Sequence, residues 1–173
     1  MTVRDPGTHE GTMHHFLAFE LSESVCAVPL EEVHSIVHLP ALSHPPGMPA
    51  LLEGFLNLRG EVVPVVRLDR LFELPEKRLG PYTTLVLLRQ PDGPVALLVD
   101  RASEVFSAPQ QALLPVRERH SFNECARAEI AQNGRLVHLL DPGRLLLEKE
   151  RRLIRELQAM ERSRIERLEP HGS

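Results

Sequence analysis

Apolar positions along this chain fall in short runs broken by turn-forming residues, the pattern of an all-β protein. The first run covers residues 16–21, and Ser22-Glu23-Ser24 turns the chain into a second run over 25–30. Pro29 there marks an edge or a strand end. Val33, Ile36 and Val37 continue in extended form, and prolines 40, 45, 46 and 49 make 40–50 a surface loop. The clearest unit is a hairpin in which residues 54–58 reach Arg59-Gly60 and 61–66 return from it. Leu68, Leu71 and Phe72 stand at helical spacing until Leu74-Pro75 stops them. Residues 82–89 and 95–99 form a further hairpin around Pro91-Asp92-Gly93, extended by Glu104-Val105-Phe106. Residues 107–120 read as a polar loop, after which 125–132 and 135–140 pair across Asn133-Gly134.

The two halves repeat one another. Residues 60–67, Gly-Glu-Val-Val-Pro-Val-Val-Arg, line up with 134–141, Gly-Arg-Leu-Val-His-Leu-Leu-Asp, and Arg70-Leu71 continues the match at Arg144-Leu145. Ala27-Val28 and Val33 answer Ala96-Leu97 and Val105 less exactly. Because the repeat takes in a strand, its turn and the helix after it, it predicts two small β-barrels, over 14–80 and 81–146. Residues 1–13 read as a disordered lead.

From residue 145 the period changes. Leu146, Leu153, Ile154, Leu157, Met160, Ile165 and Leu168 form one stripe of about 140° on a helix, with Glu and Arg alternating on the rest. This amphipathic helix and tail, residues 147–173, must bury its stripe. Docking on its own barrels is the simpler arrangement; the other makes Leu153, Leu157, Met160 and Ile165 an extra interface.

Composition narrows the function. The chain has 173 residues, 42% apolar and 25% charged, ordinary values for a soluble domain. With six Phe, one Tyr and no Trp, its core must be aliphatic. A net charge of −4 supplies no basic field for nucleic acid. No run approaches the ~18 apolar residues of a membrane span, and the polar start has no secretory pattern, so a cytoplasmic location is expected. Cys26 and Cys125 are far apart and form no CxxC pair, so they suggest neither a zinc nor a redox site.

Chemistry is hard to find. Among nine histidines, His34 and His38 share a strand face, but no carboxylate or Cys joins them at ligand spacing. No HExxH, GxSxG, Walker or GxGxxG motif occurs. Neither a catalytic set, a metal site nor a cofactor is expected. A small metal-dependent or hydrolytic enzyme built from dispersed His and Glu is the remaining alternative outside a binding role.

Residues 54–66, Gly-Phe-Leu-Asn-Leu-Arg-Gly-Glu-Val-Val-Pro-Val-Val, closely resemble the central motif of the CheW family. Residues 16–19 with 27–33, residues 95–100 and residues 133–141 resemble its opening strands, a later strand and its last hairpin. The resemblance spans about residues 14–146 and implies two five-stranded SH3-like barrels. It also implies a non-enzymatic adaptor between the regulatory domain of a CheA-type histidine kinase and the cytoplasmic tip of a methyl-accepting chemoreceptor. On that resemblance Val33, Ile36, Gly54, Asn57 and Arg59 are the expected contacts. A divergent adaptor that binds one partner, or competes for it, is the alternative. Ser35 and Arg67 stand where the family usually carries acidic residues, so the region is expected to be more positive than in a typical relative.

Overall fold

A computed structural model describes residues 12–116 and 125–168. The chain folds into two sheets and a long C-terminal helix. Strands β1 (Met13–Leu21) and β2 (Ser24–Pro29) are followed by β3 (Val33–His38), β4 (Leu52–Leu58) and β5 (Glu61–Arg67). The short helix α1 (Leu68–Leu71) leads to β6 (Thr84–Leu88), β7 (Val95–Val99) and β8 (Arg101–Pro109). The two-residue β9 (Leu113–Leu114), β10 (Ala126–Gln132), β11 (Arg135–Leu140) and helix α2 (Glu148–Leu168) complete it.

One sheet runs β8-β1-β2-β11-β10-β9 and the other β3-β6-β7-β5-β4. The sheets therefore do not follow a division at residue 80. Strands β1 and β2 join the later strands, while β6 and β7 join the earlier ones, and the first sheet has six strands where five were expected. The repeat itself is visible in the pairing. Strand β5 runs parallel to β7 with Val65 opposite Ala96, and β11 runs parallel to β2 with Leu139 opposite Ala27. Those are the positions that the sequence alignment makes equivalent.

Most central strands are buried on both faces, which explains their continuous apolar runs. In β1, Phe16 and Ala18 point into one cluster, and Leu17, Phe19 and Leu21 into another. The same alternation, with period two, divides Leu85 and Leu87 from Val86 and Leu88 on β6, and Ala96 and Leu98 from Val95, Leu97 and Val99 on β7. Three clusters result. Each sheet wraps one made of its own residues, and a third, shared cluster holds the two sheets together.

Helix α2 docks on this shared cluster and on β5. Ile154 and Leu157 are buried in the cluster, and Leu146, Leu153 and Ile165 pack against it. This is the simpler of the two arrangements expected for the stripe. Leu157 is a core residue, Leu153 and Ile165 are half-buried on the chain's own cluster, and of the four only Met160, 60% exposed, is free to meet another molecule. At the end of the helix Leu168 is 71% exposed. No described helix is long and apolar enough to cross a membrane.

At the N-terminus β1 already begins at Met13, and residues 1–11 of the expected lead lie outside the described residues. The segment expected to be a polar loop from 107 instead completes β8, makes a 3-10 turn over Gln110–Ala112 and adds β9. Its residues 117–120 lie outside the described residues.

Candidate functional site

The β4–β5 hairpin is the most constrained exposed feature of the first motif. Leu58 pairs with Glu61, leaving Arg59 and Gly60 as a two-residue loop. Their φ values are 53° and 88°, so both are left-handed, as a tight hairpin turn with the native strand twist requires. Gly60 adopts this region freely, whereas Arg59 does so against an unfavourable Cβ contact of about 1–2 kcal/mol. Asn57 helps to hold the turn: its Oδ1 accepts a hydrogen bond from the Gly60 N–H at 2.8 Å. Both Asn57 and Arg59 are exposed, and no described carboxylate pairs with Arg59.

Gly54, in the same strand, is buried. A Cβ there would lie 2.6 Å from the Ser43 carbonyl oxygen and 3.0 Å from Leu42 Cβ. The close approach is fixed by two backbone bonds, Ser43 N–H to the Phe55 carbonyl at 2.8 Å and Phe55 N–H to the Ser43 carbonyl at 2.9 Å. Gly54 thus seats the 40–50 loop along β4, and offers no side chain to a partner.

Val33 and Ile36 lie on β3, at the opposite end of the same sheet's strand order from β4. Val33 is half-buried and packs against the shared cluster, while Ile36 is 44% exposed beside an exposed Val37. Three of the five expected contacts are exposed, Asn57 and Arg59 at the hairpin tip and Ile36 on the edge strand. Val33 and Gly54 serve packing. Ser35 bonds His34 Nδ1 through its hydroxyl at 3.0 Å and does not approach the hairpin through any described bond.

Arg67 corrects the expectation of a positive surface. It is 3% exposed and binds Asp69 with both ends of its fork, Nε to Oδ1 at 3.0 Å and Nη2 to Oδ2 at 2.7 Å. Nη1 lies 3.2 Å from Glu53 and 3.3 Å from Glu76, and Nη2 also donates to the Lys77 carbonyl. Arg70 joins through Glu76 at 2.5 Å. Two guanidinium groups thus face three carboxylates, and the cluster fixes residues 76–77 to the end of β5. Hydrogen bonding to Asp69 raises the Arg67 pKa against the opposing effect of burial. For Asp69, burial opposes ionisation, but the Arg67 guanidinium and the N–H groups of Arg70 and Lys77 outweigh it and hold the carboxyl below its ordinary value. The sequence hinted at this only in the i, i+2 spacing of Arg67 and Asp69; Glu53 and Glu76 arrive from other elements.

Burial pushes the Cys26 thiol up to about 12, which removes it as a nucleophile at neutral pH. Among the described residues no group of three or more His, Cys, Asp or Glu side chains is placed to hold a metal ion.

Comparison with known proteins places the chain as a whole. The family model described as a CheW-like domain matches residues 15–150. The chemotaxis protein CheW of Thermotoga maritima is 25% identical over 134 residues, covering 76% of this chain and 87% of that protein. The CheW of Bacillus subtilis is 26% identical, covering 80% and 90%. Protein FrzA of Myxococcus xanthus is 34% identical over a shorter stretch, 40% of this chain and 44% of FrzA. Among solved structures, the scaffolding protein TtCheW of Thermoanaerobacter tengcongensis superposes with a TM-score of 0.75, at 18% identity, covering 83% of this chain and 94% of that one. The fold is thus shared with a CheW scaffold.

Proposed function

Because this chain belongs to the CheW-like domain family, we propose that it is a non-catalytic adaptor coupling the regulatory domain of a CheA-type histidine kinase to the cytoplasmic tip of a methyl-accepting chemoreceptor. Its place of action is then the cytoplasm, beside receptors that it reaches through partners. The observation that supports the reading best is the β4–β5 hairpin. Its tip presents Asn57 and Arg59 on a backbone locked by the Gly60 N–H, within the segment most like the family motif. Exposed Ile36 on β3 supplies the second contact of the same proposal. Such an adaptor acts by stabilising one kinase–receptor arrangement over others, which is a population shift and needs no chemistry of its own.

A second reading keeps the adaptor and removes one partner. It is motivated by Arg67, whose charge is consumed internally by Asp69, Glu53 and Glu76, and by Ser35, which leaves Arg59 without the usual acidic companion. Calorimetric titration of the full chain against the kinase regulatory domain, and separately against a receptor-tip fragment, distinguishes the two. Micromolar or tighter binding to both, weakened by Arg59→Glu or Ile36→Glu at either partner, supports the coupling role. Binding to one partner alone supports the second reading, and binding to neither refutes both.

A further inference from the structure

We propose that helix α2 is a brace for the motif hairpin, with Gln158 as a positioning residue that fixes the hairpin tip for partner docking. The inference rests on the adaptor reading above for what the tip meets, but the brace itself follows from the geometry of β5.

In an antiparallel hairpin, facing residues alternate between pairs that exchange hydrogen bonds and pairs that do not. A two-residue loop is closed by a bonded pair, here Leu58 with Glu61, so the next pair, Asn57 with Val62, is unbonded. The N–H and C=O of Val62 therefore point away from β4. On that outer side β5 gains a neighbouring strand only later, since β7 pairs with it at Val65, Val66 and Arg67. The outward Val62 carbonyl would lack a ladder partner, yet Gln158 Nε2 of α2 donates to it at 3.0 Å. A side chain of the helix thus stands in for the missing strand, directly opposite Asn57.

The helix is itself anchored at points remote from the hairpin. Arg151, two turns earlier on the same side as Gln158, donates to the Gly143 carbonyl beyond β11 and lies 3.4 Å from Asp92 in the β6–β7 turn. Between Arg151 and Gln158 along the helix, Ile154 and Leu157 are buried in the shared cluster. Displacement of the helix is consequently transmitted to the Asn57–Val62 pair, the second residue pair below the Arg59-Gly60 tip.

Two full-length variants test this. Gln158→Glu keeps size and stem but has no donor, and Gln158→Ala removes the side chain without burying anything new. Amide hydrogen exchange by NMR is read at Leu58, Gly60 and Glu61, with β1 and β2 amides as the reference. Affinity for the kinase regulatory domain is read in parallel. Both variants are expected to exchange about fivefold faster at the hairpin, the worth of one neutral hydrogen bond, with β1 and β2 unchanged and partner affinity several-fold weaker. Hairpin exchange within twofold of the unmodified chain overturns the brace, as does uniform acceleration across both sheets. Faster hairpin exchange with unchanged affinity overturns the positioning role. If the unmodified chain binds no regulatory domain, the adaptor reading fails, and the exchange pattern alone decides the brace.

Discussion

Replacing Arg67 by Met separates a buried structural charge from a surface one. The side chain is 4% exposed and is held by Asp69 at 2.7 Å, whose own side chain is 7% exposed. Removing one member of a buried pair typically costs about 3–5 kcal/mol, because the other charge is stranded. Two features lower that here. Glu76 is half in solvent and rehydrates, and Asp69 keeps the N–H donors of Arg70 and Lys77 at 2.9 and 3.4 Å. The expected loss is about 2–4 kcal/mol, or a fall in melting temperature of about 10 °C for a chain of this size. With no Trp and one Tyr, far-UV circular dichroism during urea or thermal unfolding is the suitable probe. The loss should depend on pH. Since Asp69 has its folded-state pKa depressed, its pairing stabilises the fold above the unfolded-state value and is lost as pH falls through the folded-state value. The gap between Arg67→Met and the unmodified chain should therefore be widest near neutrality and close below about pH 4. A double variant, Arg67→Met with Asp69→Leu, should recover part of the loss, since the stranded carboxylate is gone. A loss under about 0.5 kcal/mol at pH 7, or a gap that does not change with pH, would refute the buried-cluster account and return Arg67 to the surface.

Three further outcomes follow from the packing. Gly54→Ala places a methyl against the Ser43 carbonyl at 2.6 Å and should destabilise the chain by about 2 kcal/mol in urea unfolding, since a backbone atom has to move. Leu157→Ala should cost about 2–4 kcal/mol, whereas Met160→Ala, on the same helix but exposed, should stay within about 0.5 kcal/mol; equal costs would show that α2 is docked differently. Cys26, with its thiol pushed up to about 12, should resist aromatic disulfide reagents at pH 8 until the protein unfolds, and rapid labelling of Cys26 in the folded chain would contradict its burial.

The sequence was legible where local chemistry decides the structure. Arg59-Gly60 and Asn133-Gly134 mark two hairpins because their positions need left-handed φ, and the structure has it at all four residues. The repeat was legible for the same reason, since each copy carries its own turn. Sheet membership was not. Strands such as β1 and β6 are apolar on both faces, so no alternation indicates which cluster each face serves. The assignment of β1–β2 to the later strands depends on long-range pairing, such as Ala27 with Leu139, that no local pattern encodes. In the candidate site, Asn57 and Arg59 could be placed from the turn alone. The tasks of Gly54 and Arg67 could not: one depends on a loop arriving at Ser43, the other on carboxylates from Glu53 and Glu76. Helix α2 was legible as amphipathic, yet its stripe contains Glu161, 4% exposed and 3.5 Å from Arg164, which hydrophobic periodicity passes over.

Coupling is tested most directly by reconstitution. Autophosphorylation of the CheA-type kinase would be followed with receptor-bearing vesicles, with this chain present, absent or carrying Arg59→Glu. The account predicts that receptors alter kinase activity only when the unmodified chain is present, and that Arg59→Glu removes most of the effect while leaving the adaptor folded. Receptor control of the kinase that is the same with and without this chain would contradict it.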